Sequence, residues 1–232
     1  MKIGHISDIH YGKSWMFVER KARKAIERIN KEEVDVVVVT GDLTDYGLRD
    51  EYKGVKKLLE ELSSPYVAVP GNHDARHEGY KIFEEYFGER FFIKKFGRYK
   101  FIGLDSSEPD IDEGHVGREQ IERMHSSMDS NSVIFLHHHL LPIPNTGRER
   151  NILVDAGDIL KLLSEYGVKL VLNGHKHVPW VWNINNIVVS TAGTASCERT
   201  PYTQSFNIVE IDKKIKIRKI NVSDGKEKII VF

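Results

Sequence analysis

Apolar residues recur along this chain in two rhythms, and the rhythm changes about three quarters of the way through. Ile3 to Ile6 is a short apolar run that gives way to Ser7-Asp8-Ile9-His10 and the Tyr11-Gly12 turn, a strand followed by a polar loop. From about Ser14 to Asn30 the residues Val18, Ala22, Ala25, Ile26 and Ile29 return at spacings of three and four, which predicts a helix with one apolar face. Val34 to Val39 is valine throughout apart from Asp35, as in a strand covered on both faces, and it ends in Thr40-Gly41-Asp42-Leu43-Thr44-Asp45. Leu48 to Leu62 resumes helical spacing until Ser63-Ser64-Pro65 stops it, and Tyr66 to Val69 is a third strand that delivers Gly71-Asn72-His73-Asp74.

The alternation continues with a short helix over 79–88, a strand from Tyr99 to Leu104, and a helix over 117–128. Val133 to Leu136 is then a strand ending in His137-His138-His139. After an aperiodic loop to Asn151, the residues Ile159, Leu160, Leu163 and Tyr166 mark another helical face. Val168 to Leu172 is a strand ending in Asn173-Gly174-His175-Lys176-His177. Beyond that point the period is two: Val181 to Ile184 and Ile187 to Ser190 flank Asn185-Asn186 as a hairpin. Phe206 to Ile211, Ile215 to Ile220 and Ile229 to Phe232 read as antiparallel strands. With no linker, repeat or low-complexity segment, residues 1–232 are expected to form one α/β domain with a mixed sheet completed by the C-terminal strands.

Composition narrows the picture. Lysine plus arginine and aspartate plus glutamate both number 34, so no bulk field recruits a polyanion and a nucleic-acid partner is not favoured. A lone Cys197 excludes an internal disulfide and a cysteine-based zinc cluster, which leaves nitrogen and oxygen donors for any metal and suits a reducing, cytoplasmic location. Neither a signal peptide nor a membrane-spanning run is expected.

Several of the eleven histidines lie beside apolar runs. Gly71-Asn72-His73-Asp74 by itself is an ordinary turn signature. Taken with Asp8, His10, Asp42, the 137–139 triplet, His175 and His177, it becomes one of five strand ends that each contribute a donor to the crevice where α/β sheets bind ligands. A mixed carboxylate, amide and imidazole set without thiolate suits Mn, Fe, Co, Ni or Zn rather than calcium. The donors are too many for one tetrahedral ion and about right for two ions sharing a carboxylate and a solvent, an arrangement suited to phosphate-ester cleavage. Two aspartates offset only part of the charge of two ions, so the neutral Asn72 preserves the pull on an anionic substrate. His73, next to a ligand, is placed to protonate or stabilise a leaving oxygen.

These blocks, Asp8-x-His10, Gly41-Asp42, Gly71-Asn72-His73-Asp74, the apolar run into His138-His139 and Gly174-His175-Lys176-His177, resemble in order those of the calcineurin-like dinuclear metallophosphoesterases. The likeness is greatest to the cyclic nucleotide and glycerophosphodiester phosphodiesterase branch. It implies a four-layer α-β-β-α sandwich of two mixed β-sheets flanked by helices. It also implies that Asp8, His10 and His177 hold the first metal, that Asp42 bridges, that Asn72, His138 and His175 hold the second, and that His73 is catalytic. His138 is selected by setting Leu140 against the proline that the branch carries after its paired histidines, a register open to a slip of one. Asp45 and Asp74 are expected to orient ligands, while His115 is left outside the site. The expected activity is hydrolysis of a small phosphodiester. Phosphomonoesterase, nuclease and phosphoprotein phosphatase are its rivals, and a non-catalytic scaffold would require a missing ligand or imidazole.

Overall fold

The computed structural model describes residues 1–199 and 202–232. Twelve strands and five α-helices follow one another as β1 (Lys2–Ile6), α1 (Glu19–Lys31), β2 (Val36–Thr40), α2 (Arg49–Leu59), β3 (Tyr66–Val69), α3 (Gly79–Phe87), β4 (Phe92–Phe96), β5 (Tyr99–Gly103) and α4 (Arg118–His125). Then come β6 (Ser132–Phe135), α5 (Ala156–Glu165), β7 (Leu170–Asn173), β8 (Trp180–Ile184), β9 (Ile187–Thr191), β10 (Ser205–Ile211), β11 (Ile215–Asn221) and β12 (Glu227–Val231). They form two six-stranded sheets, ordered β12-β11-β10-β1-β2-β3 and β4-β5-β6-β7-β9-β8. Each sheet is mixed: β1, β2 and β3 run parallel beside antiparallel β10, while β5, β6, β7 and β9 run parallel between antiparallel β4 and β8.

Valine on every position of β2 now has a reason. Val36 and Val38 join Ile3, Phe101, Phe135, Leu172 and Ile217 in an apolar layer between the sheets, while Val37 and Val39 pack outward under Ile26 and Ile29 of α1 and Tyr52 of α2. On the second sheet Ile134 and Leu136 face Met124 of α4 and Ile159 of α5. Helices, sheet, sheet and helices thus make the four layers. The C-terminal strands divide between the sheets: the β8–β9 hairpin extends the second, while β10 to β12 extend the first. Asn185 and Asn186 both take positive φ, 49° and 62°, as a two-residue hairpin turn requires.

Two local departures are physical. Helix α1 begins at Glu19 rather than Ser14, because Phe17 is drawn into an extended bridge with Cys197 and packs tilted against Tyr11, ring centroids 4.7 Å apart. Strand β4 lacks a readable alternation because it is an edge whose Ile93, Lys94 and Lys95 are exposed. Lysines there discourage edge-to-edge pairing.

Candidate metal centre

Parallel strands of both sheets end at the same edge of the sandwich, and the expected residues follow those ends. The loops after β1 and β2 are laced together by Asp8 N to Gly41 O (3.0 Å), His10 N to Asp42 O (2.9 Å) and Tyr11 N to Leu43 O (2.8 Å). This lacing holds Asp8, His10 and Asp42 at φ of 53°, 49° and 49°, and His175 and His177 stand at 73° and 56°. A non-glycine residue in the left-handed region costs of order 1 kcal/mol or more, and such strain clusters where side-chain aim matters. Gly71 and Gly174 permit the close approach: a Cβ on Gly71 would lie 2.2 Å from Asp42 Oδ1, and one on Gly174 1.9 Å from Ser7 Oγ.

The first cluster is Asp8, His10, Asp42 and His177, whose donor atoms all lie within 4.8 Å of one another and are buried. His10 Nε2 is 3.0 Å from His177 Nε2 and 3.4 Å from Asp42 Oδ2, and His177 Nε2 is 3.3 Å from Asp8 Oδ1. Asp8 Oδ1 is buried without a hydrogen-bond partner. The second cluster is Asp42, Asn72, His137 and His175. His137 Nε2 stands 3.4 Å from Asp42 Oδ2, 3.1 Å from Asn72 Oδ1 and 3.2 Å from His175 Nδ1, which is itself 3.2 Å from Asn72 Oδ1.

Donors about 2.1 Å from a common ion lie about 3.0 Å apart around an octahedral centre and about 3.4 Å apart around a tetrahedral one. The first cluster has that spacing from His10 Nε2 to His177 and Asp42 and from His177 Nε2 to Asp8, and in the second His137 Nε2 stands at it from Asp42, Asn72 and His175 alike. The residues therefore fit two divalent ions, with Asp42 Oδ2 common to both sets.

His138 does not join them. Its Nδ1 meets Ser106 Oγ at 2.9 Å and its Nε2 lies 3.1 Å from Asp112 O, while His139 Nε2 pairs with Glu149 at 2.9 Å. The geometry thus brings His137, rather than the expected His138, to Asp42 and Asn72. On β6, Val133 and Phe135 face the inter-sheet layer whose end is the site, and His137 continues that parity. Leu136 and His138 face the other way.

Charge in the cluster follows its packing. Burial alone would lower the pKa of His137, but Asp42, Asp8 and the Thr40 carbonyl, to which its Nδ1–H donates at 2.8 Å, hold it up to about 9. Burial pushes His10 down to about 4 against the pull of Asp42. Although burial opposes it, the imidazoles of His137, His73 and His10 keep Asp42 ionised, well below the usual carboxylate range.

Beside the clusters, His73 is held neutral by burial, and its Nδ1 lies 2.6 Å from the Asp45 carbonyl. An Nδ1–H donated there leaves Nε2 to accept from Arg199 Nη1 at 3.0 Å. Asp45 takes the other guanidinium nitrogen at 2.6 Å and has an oxygen 3.5 Å from His10 Nδ1. Asp74 accepts from Leu43 N, Gly71 N, Thr44 N and Thr44 Oγ1 at 2.7–3.0 Å, tying the β2 loop to the β3 loop. His115 pairs with Glu108 and stays outside.

Sequence reasoning missed two residues. Asp112 accepts the Asn72 amide N–H at 2.9 Å, which fixes the amide so that its oxygen faces the imidazoles. Arg199 reaches back from the loop after β9. Neither lies in a motif block, and only the folded chain brings them in.

A cavity of about 490 Å³ opens over the second cluster, bordered by Asp42, Asn72, His73, His175, Lys176 and Arg199. A larger one, about 760 Å³, lies at the far edge of the sandwich between β3 and β4 and contains none of these groups. Among the described residues no helix is long and apolar enough to cross a membrane.

Residues 1–179 match the sequence model of the calcineurin-like phosphoesterases. A probable cyclic nucleotide phosphodiesterase of Xenorhabdus bovienii is 27% identical over 210 residues, 85% of this chain and 82% of that protein. A probable glycerophosphodiester phosphodiesterase of Arcobacter nitrofigilis is 32% identical over 178 residues, 72% of this chain and 65% of its own length. The fold superposes on a dimetal phosphatase from Danio rerio with a TM-score of 0.77 at 14% identity, covering 100% of this chain and 99% of that one. The chain belongs to the calcineurin-like phosphoesterase family and is a metal-dependent phosphoesterase.

Proposed function

We propose that this chain is a phosphodiesterase acting on small diesters, cyclic nucleotides and glycerophosphodiesters being the nearest classes by the names of its relatives. The observation that carries the reading is the placement of Asp42 Oδ2, 3.4 Å from His10 Nε2 and 3.4 Å from His137 Nε2, beneath an open cavity with His73 and Arg199 at its side. Asp8, His10, Asp42 and His177 form one ligand set, and Asp42, Asn72, His137 and His175 the other, with His137 in place of His138. Mn, Fe, Co, Ni and Zn suit the donors.

Divalent ions bound there supply positive charge against the phosphoryl oxygens and acidify solvent. The protein's own groups do the rest. Asn72 contributes an oxygen without a negative charge, so the site keeps its attraction for a phosphate monoanion. Arg199 and Arg76 carry guanidinium groups on either side of His73, with Arg76 Nη1 3.1 Å from its Nδ1 and its Nη2 held by Asp112 at 2.8 Å. A planar fork suits phosphate oxygens. As Arg199 moves from Nε2 to the substrate, that nitrogen is free to take up a proton from solvent and, as an Nε2–H, to donate it to the departing oxygen. The lone Cys197, buried as a free thiol, supports a reducing, cytoplasmic location, and the shared inter-sheet core supports one domain over 1–232.

Hydrolysis of bis(p-nitrophenyl) phosphate by metal-reconstituted protein, set against p-nitrophenyl phosphate, tests the reading. Faster turnover of the diester is expected. Preference for the monoester, or no turnover of either with two ions bound, would sink it.

A further inference from the structure

A second cavity, about 290 Å³, adjoins the first, and Asn145, Val178 and Tyr202 border both. It enters the lateral opening of the sandwich between the β8–β9 hairpin and β10 to β12. Trp180 forms part of its wall, with the indole N–H buried and without a partner, whereas the Trp182 N–H is used by Pro142 O at 2.9 Å.

Its far end is lined by Lys219 and Lys228, which stand directly opposite each other in the β11–β12 register. Like charges directly across an antiparallel pair are unfavourable. The neighbouring cations on β11 are neutralised: Lys216 by Glu210 at 3.3 Å, and Arg218 by Glu32 at 2.7 Å and Glu227 at 2.9 Å. Lys219 and Lys228 have no acidic partner among the described residues. Burial and the facing Lys228 push the Lys219 ammonium below its ordinary range, a cost that an anion between the two would remove.

We propose that this slot is a substrate subsite of the phosphodiesterase centre, holding a nucleoside-like ring beside Trp180 and Tyr202 and a terminal phosphate between Lys219 and Lys228. The inference rests on the phosphodiesterase reading and makes its preferred substrate a nucleotidyl diester with a second, dianionic phosphate. Two lysine charges match that dianion, whereas a plain cyclic nucleotide offers the slot no second anion. Aromatic side chains accept a base face without demanding one base.

The test compares thymidine 5′-(p-nitrophenyl phosphate) with its 3′-phosphorylated counterpart on the metal-loaded chain. The added phosphate is expected to lower KM about tenfold, the scale of one or two charge-assisted contacts. Lys219→Met and Lys228→Gln should each bring that ratio close to one. Lys228 is exposed, so its variant keeps the test alive if Lys219→Met fails to fold. A ratio near one in the unaltered chain, or an unchanged ratio in folded variants, overturns the subsite even while bis(p-nitrophenyl) phosphate is hydrolysed. If no diester is hydrolysed, the phosphodiesterase reading fails, and tryptophan fluorescence of the metal-free chain titrated with thymidine 3′,5′-bisphosphate decides the subsite alone. Binding about tenfold weaker in Lys228→Gln supports it, and equal affinity overturns it.

Discussion

The two halves of the metal centre are built by different means. In the first, Asp8, His10, Asp42 and His177 all sit in left-handed backbone at loop turns, with two carboxylates against one ion. In the second, Asn72 and His137 take ordinary backbone just beyond β3 and β6, while His175 and the shared Asp42, the one carboxylate of this set, keep the left-handed turn. Strained turns aim every donor of the first half, whereas strand parity aims His137 in the second. In the proposed centre the first half would hold its ion mainly through charge, and the second through more neutral donors, with less grip and more attraction left for substrate.

The comparison breaks most completely at the shared residue. Asp42→Ala should empty both halves and reduce turnover to background, as elemental analysis and a bis(p-nitrophenyl) phosphate assay would record. One ion retained per chain would mean that Asp42 serves a single half. Next in size is the contrast between His137→Ala and His138→Ala. The former should lose one ion and more than about 100-fold in turnover, beyond the usual 10–100-fold of supporting groups. The latter should keep both ions and lose mainly the stability given by its bonds to Ser106 and Asp112.

That contrast also marks what was legible beforehand. The order of the strand ends was readable from hydrophobic period and short motifs; the four layers came only from the resemblance those motifs carry, since the period alone suggested one mixed sheet rather than two. The histidine register was not, since setting Leu140 against a proline chose His138 and alternation then turned His137 away, whereas Val133 and Phe135 show that the parity of His137 faces the site. That parity has meaning only once the site is known to lie at the inter-sheet layer. Asp112 and Arg199 were out of reach for another reason: each arrives from an aperiodic loop, over distances of 40 and 126 residues from its partner. Edge strand β4 escaped because its exposed lysines erase the period-two signal.

A smaller effect separates catalysis from both halves. His73→Ala should leave two ions bound and lower turnover by roughly 10²- to 10⁴-fold, the range of a lost acid–base group. Loss of an ion in this variant would instead place His73 among the ligands.

Smallest is a difference in proton linkage. His137 is held up to about 9 in the metal-free chain, so proton and ion compete for its Nε2. Affinity of the second half should rise about tenfold per pH unit from neutrality to about pH 9 and then level, with about one proton released per ion. His10, pushed down to about 4, is already unprotonated there and gives the first half no such slope. Calorimetry in buffers of different ionisation enthalpy separates the two, and equal proton release from both halves would erase the distinction.

The most direct measurement is a titration of the metal-free chain with manganese in which bound ions and bis(p-nitrophenyl) phosphate hydrolysis are followed together. Two ions should bind per chain, and turnover should appear only as the second fills the Asn72, His137 and His175 half. Full turnover with one ion bound, or saturation at one ion, would contradict a centre built from two halves around Asp42.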